Sequence, residues 1–236
     1  MYVGSCLGAL CRVAQPDTLK AILAAGPLAV QQPPAAAARQ LNGVVLATAA
    51  KYAGARLEDA GLLKPFTDAI KAAARDADTG VKTAAARAAA RLASAVVGAG
   101  SAQAGGVLTA TVATLQALLG PDQGSEVVRV TLLAVRGLAM DLAAGGEASE
   151  ALLDPHAPAL VPSMCAVLAT GQVSGITRST AEAALQKLLR VESGLEVAQR
   201  YLASGPAAVA RQTLTDSFLR RLQKLTDEDL FASEEY

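Results

Sequence analysis

Few side chains in this sequence could do chemistry, and their spacing is poor for it. His156 is the single histidine; it sits in LLDPHAPALVP, which reads as a solvated, proline-rich connection. No cysteine or second histidine stands near it at metal-ligand spacing. Cys6 and Cys11 are five residues apart, slightly more than one helical turn, and Cys165 is alone. Cys6 and Cys11 read as buried small apolar residues rather than a metal pair. Asp76 and Asp78 fall at the end of a helical pattern, where they suit capping better than acid/base work. Gly98-Ala99-Gly100-Ser101 and Gly105-Gly106 lack the preceding strand and following Gly-Lys-Ser/Thr of a phosphate loop, so they read as helix ends. Catalysis needs polar groups positioned by burial and by one another. The sequence offers no such set, and neither an enzymatic activity nor a cofactor is expected.

The elements that carry these residues are helical. Ala supplies 54 of 236 residues, Trp is absent, and Phe and Tyr number 3 and 4. Strong helix formers therefore dominate, and strand formers are thin. Part of the alanine excess reads as cheap substitution on helix surfaces. The hydrophobic fraction of 52% excludes a disordered chain. Lys plus Arg and Asp plus Glu balance at 21 each, so no global field holds nucleic acid. Three cysteines are too few for a disulfide framework, which suits a reducing compartment. With no uncharged apolar run long enough to span a bilayer and no signal-peptide pattern, a cytoplasmic protein without membrane contact is expected.

The helices recur as pairs. In residues 62–97, Pro65 sits in the first turn of one helix, and Phe66, Ile70 and Ala73 or Ala74 follow at helical spacing. Asp76 to Gly80 turns the chain, and Val81-Lys82 opens a second helix with Ala85, Ala88, Ala89 and Leu92 on its stripe. Residues 107–119 and the helix opening at Val128-Arg129 repeat the pattern across Gly120-Pro121-Asp122. Val161-Pro162 is expected to start a third pair, turning at Gly171 to Gly175 and reopening at Ile176-Thr177-Arg178. Arg39 introduces an earlier second helix after Pro33-Pro34. Arg39, Lys82, Arg129 and Arg178 are 43, 47 and 49 residues apart. HEAT repeats run about 40–47 residues. The expectation is an all-α, α-solenoid of HEAT-type helical hairpins over residues 1–236, with about four to five repeats. It starts mid-repeat, at a second helix around CLGALCRV, as the C-terminal end of something longer. Its own end, residues 227–236, is an acidic tail.

The cations on the second helices are the remaining lead. Lys82, Arg87 and Arg91 line one side of one helix, Arg129 and Arg136 occupy similar places one repeat on, and Arg178, Lys187 and Arg190 follow. They form either a stripe for an acidic partner or an internal ladder. In the ladder, which is favoured, each opening cation pairs with an Asp such as Asp76, six residues before Lys82; the other repeats have Gln123 and Gln172 there. Arg220, Arg221 and Lys224 read as a solvated face.

Particular strings carry a resemblance. Leu7-Gly8-Ala9-Leu10-Cys11-Arg12, Leu19-Lys20-Ala21-Ile22-Leu23, the stretch from Arg39-Gln40-Leu41 to Gly54-Ala55-Arg56-Leu57, AEAALQKLLRVESGLE (181–196) and LRRLQKL (219–225) follow in order. Together they are similar to the C-terminal HEAT-repeat region of the general control non-derepressible translational activator family. The resemblance implies a non-enzymatic scaffold that binds stalled or collided ribosomes. It also implies promotion of the initiation factor 2 alpha kinase in amino-acid starvation, alongside an ABC-type ATPase partner. The kinase-binding and ATPase-binding segments of the family lie mostly upstream of the part matched, and no sequence-specific nucleic-acid contact is implied. The alternative reading is a HEAT adaptor, unrelated to translation, that holds a helical or acidic peptide in its concave groove.

Overall fold

A computed structural model describes residues 2–29, 35–169 and 174–188. All the regular elements there are helical: α1 (Tyr2–Leu10), α2 (Pro16–Ala25), α3 (Ala36–Ala53), α4 (Leu63–Ala74) and α5 (Thr79–Gly98) come first. After them come α6 (Ala104–Leu118), α7 (Ser125–Ala144), the single turn α8 (Glu147–Glu150), α9 (Ala157–Ala169) and α10 (Gly175–Leu188). Local chemistry sets several boundaries. Asp78 caps α5 by accepting the Val81 N–H at 3.0 Å, as its side chain type favours. At the far end, Gly100 takes φ +67, its N–H donates to Val97 O and the Ser101 N–H donates to Val96 O. That is the left-handed C-terminal cap only glycine adopts without strain.

The helices form two layers of an α-solenoid. In one, α1, α3, α5, α7 and α10 pack side by side in that order; in the other, α4 packs on α6 and α6 on α9. One continuous apolar cluster runs between the layers, from Cys11 to Leu188. The first helix of each pair feeds it with large side chains such as Phe66, Ile70, Leu108 and Leu115, all buried.

Alanine has a different task from the one its surface propensity suggests. In α5, Ala84, Ala85, Ala86, Ala88, Ala89, Ala90 and Ala93 are all buried. The helix is enclosed by α3 and α7 on its flanks and by α4 and α6 beneath. Backbones approach closely along this layer: a Cβ on Gly43 would stand 2.8 Å from Ala84 Cβ, and one on Gly54 2.7 Å from Ala95 Cβ. One on Gly8 would collide with Thr48 Cβ. Small residues are the packing material of this seam, so the alanine of α5 belongs to the interior.

Two boundaries differ from the sequence expectation. The third pair does not start at Val161-Pro162: Pro162 lies inside α9, which begins at Ala157 and continues a 3-10 helix over Ala151–His156. The buried stripe Ala157, Leu160, Val161, Met164, Cys165, Leu168 has helical spacing from well before that proline, and its burial outweighs one lost backbone bond. Gly105 and Gly106 lie in the first turn of α6, not between helices. The stretch Glu147–Leu168 is long and apolar enough to cross a bilayer by length and composition alone. It carries Glu147, Glu150 and Asp154 in its first half and packs its apolar stripe into the core. Residues 170–173 of the expected turn, and everything from 189 on, lie outside the described residues.

Candidate functional site

The opening cations occupy equivalent places. Arg39, Lys82 and Arg178 are each the fourth residue of α3, α5 and α10, and Arg129 is the fifth of α7. A cation in a first turn faces the positive end of the helix dipole and calls for a nearby oxygen. For the first two, the oxygen comes from the next repeat. Arg39 donates to Asp76 through Nε at 2.8 Å and Nη2 at 3.3 Å, and Gln40 Nε2 donates to Asp78 at 3.0 Å. The Lys82 ammonium donates to Gln123 Oε1 at 2.9 Å. Lys82 therefore does not pair with Asp76: Arg39 and Lys82 each reach forward to the turn of the following hairpin, because that turn stacks over their helix start. The Arg39 bonds hold the Asp76 carboxyl below its usual pKa, against the opposing effect of burial. Arg129 instead holds Glu126 of its own helix at 2.7 and 2.9 Å. Gln172, the counterpart of Gln123, lies outside the described residues.

A second set of cations faces outward. Arg87 is exposed, and Arg91 lies one turn on, with Nη1 donating to Ala47 O of α3 at 3.0 Å. Burial and then the like charge of Arg87 lower the Arg91 pKa, while the nearby Tyr52 hydroxyl raises it. Arg87 also acts on Glu126, so the outer edges of α5 and α7 adjoin. Arg136 is half-buried, and its Nε has no hydrogen-bond partner among the described residues. Arg178 and Lys187 are half-buried on α10, and Arg190 lies outside the described residues. Charge is thus segregated within a neutral chain. Helices α1, α3, α5, α7 and α10 carry nine Lys or Arg against three Asp or Glu. Helices α2, α4, α6 and α9 carry three against two.

Sequence reasoning missed the apolar part of this surface. Among the described residues, seven of the nine exposed large hydrophobics belong to the α1–α3–α5–α7–α10 layer, including Tyr52, Leu133, Met140 and Ile176, and none belongs to α2, α4, α6 or α9. On α7, Arg129, Leu133, Arg136 and Met140 follow at three- and four-residue steps. The signal was present in that spacing, but periodicity alone cannot say which apolar stripe faces the core.

The remaining candidates are occupied by the fold. His156 ends a 3-10 helix instead of lying in an open connection, and burial lowers its pKa. Cys11 is buried and its Sγ donates to Leu7 O at 3.4 Å. Cys6, expected to be buried like Cys11, is instead exposed on α1, and burial pushes the Cys165 thiol up to about 12. No group of three His, Cys, Asp or Glu that could hold a metal occurs among the described residues. A cleft of about 320 Å³ opens between Leu28, α3 and α4, but its Arg39, Asp76 and Asp68 are taken by internal ion pairs. Among the described residues the arrangement assembles no nucleophile, base and oxyanion donors in one place.

A family model described as stalled ribosome sensor GCN1-like, HEAT repeats, matches residues 1–235. Comparison with the curated proteins and with the solved structures gives no match. The two-layer helical solenoid and this end-to-end match agree, and the chain belongs to the GCN1-like stalled ribosome sensor family of HEAT-repeat proteins.

Proposed function

We propose that the chain is a non-enzymatic scaffold segment of a cytoplasmic translational activator that associates with stalled or collided ribosomes and promotes activation of the initiation factor 2 alpha kinase. The observation that carries this reading is the family match over residues 1–235. The cationic layer supports it, since a ribosome presents acidic protein and RNA phosphate to whatever docks on it. The kinase and the ABC-type ATPase are the further partners of this reading; in the family they engage mostly segments upstream of the part matched.

Co-sedimentation with ribosomes, by this chain alone and joined to the upstream repeats of the same activator, tests the proposal. The expected result is association that weakens as salt rises from low to moderate, because exposed charges are screened over about 10 Å at 0.1 M. Absence of association in both forms overturns it. Association only in the joined form assigns this segment a stabilising, end-capping part in the scaffold and supports the reading.

A further inference from the structure

We propose that the outer face of α3, α5 and α7 docks an acidic amphipathic helix of a partner protein. Two independent features coincide there. Neither α3 nor α5 contains a single acidic residue, so Arg87 and Arg91, one turn apart, repel each other with no carboxylate on their own helix. Glu126 is the acid brought near Arg87 among the described residues, and Arg129 already holds both its oxygens. Arg136 adds a half-buried guanidinium on α7. Such an arrangement costs the fold stability and is resolved by an anionic partner.

The second feature is apolar. Leu133 and Met140, 42% and 45% exposed, stand seven residues apart along α7 and alternate with Arg129 and Arg136. Tyr52 of α3, 38% exposed, borders Arg91 across the α3–α5 seam. A sugar-phosphate backbone would satisfy the arginines and leave Leu133 and Met140 in water. A second copy of this chain would set cation against cation across an isologous contact. An acidic helix with apolar residues at positions i, i+3 or i+4 and i+7 meets both requirements, its leucine-type stripe along Leu133 and Met140 of α7 and its flanking carboxylates on Arg136 and, across the α5–α7 seam, on Arg87 and Arg91. Methionine within the patch adapts to such a stripe. The helix partner does not depend on ribosome association, and either can exist without the other.

The experiment is fluorescence anisotropy with the whole chain and a labelled synthetic helix of about five turns, with leucines on one face and glutamates elsewhere. Competitors are a scrambled peptide of the same composition, an oligouridine, and a peptide of this chain's own acidic residues 227–236. Binding to the amphipathic helix is expected, with affinity lowered about tenfold by Arg87→Glu and several-fold by Met140→Ala. Arg87 is exposed and its reversal leaves the core intact; unchanged circular dichroism confirms that, and Arg136→Lys, which keeps the charge, serves as a milder second variant. The proposal is overturned if the scrambled peptide binds as well, or if Arg87→Glu and Met140→Ala leave binding unchanged. Preference for oligouridine would reassign the face to phosphate, and preference for the 227–236 peptide would reassign it to the chain's own end. Absence of peptide binding by the unaltered chain, with ribosome association retained, would overturn this inference alone.

Discussion

Arg39 and Asp76 stand 37 residues apart in consecutive hairpins and meet through a 2.8 Å ion pair with both side chains largely shielded from solvent. The pair fastens the start of α3 to the turn before α5, and Gln40 with Asp78 doubles it a step along. Because the Asp76 carboxyl titrates below its usual range in the folded chain, it stabilises the fold above the unfolded carboxyl pKa near about 3.9. That contribution is lost as pH falls through the folded value. Asp76→Asn is therefore expected to lower the thermal midpoint by about 2–4 °C at neutral pH. The deficit relative to the parent chain should shrink on acidification below about pH 4, as followed by circular dichroism. A deficit that grows with acidity would contradict the assignment.

The helix seam makes opposite predictions for two glycines. A methyl on Gly43 would press on Ala84 Cβ at 2.8 Å, in a layer with no room to yield. Gly43→Ala is expected to destabilise by about 1–3 kcal/mol. Gly137, in the middle of α7, has a negative φ and open space where a methyl would stand, with no atom within 4 Å. Gly137→Ala should stabilise by about 0.5–1 kcal/mol through helix propensity alone. Denaturant unfolding of the pair reads both signs.

Arg56 ties down the first helix. Its guanidinium donates to the carbonyls of Cys11, Arg12 and Ala14, at 3.1, 2.6 and 2.5 Å, just past the end of α1. These are the orphan acceptors of a helix C-terminus and the turn after it. Arg56→Ala is expected to cost about 1–3 kcal/mol and to act locally. Hydrogen exchange should speed up in α1 well before it does in α5, which is flanked by α3 and α7 and backed by α4 and α6.

The cysteines should separate by reactivity. Burial holds the Cys165 thiol near a pKa of about 12, which leaves roughly one molecule in ten thousand as thiolate at pH 8. Cys11 is also buried with its thiol pKa raised, chiefly by burial, whereas Cys6 is exposed. A thiol-directed chromophore at pH 8 should find one fast equivalent in the native chain and the others only on unfolding. Fast reaction of Cys165 would place it outside the core.

Local signals made much of the architecture readable. The Pro65 first turn, the Asp78 cap, the apolar stripe Phe66–Ile70 and the positions of Arg39, Lys82, Arg129 and Arg178 all follow from 3.6-residue periodicity and end chemistry, which depend on neighbours a few residues away. Where two local signals compete, nothing local arbitrates. Pro162 argued for a helix start, but the stripe from Ala157 to Leu168 won because its burial is a property of the whole solenoid.

An all-helical, alanine-rich repeat with a cation near the start of α3, α5, α7 and α10 is thus written in the chain itself. What those residues face is settled by packing between repeats. Packing sends Lys82 forward to Gln123 instead of back to Asp76, and encloses the alanines of α5. It also leaves Leu133 and Met140 beside Arg136 on an outer face. The physical reason is that a helix sequence specifies which side chains share a side. The stacking of one repeat on the next, across about 40 residues of chain, determines which side is covered.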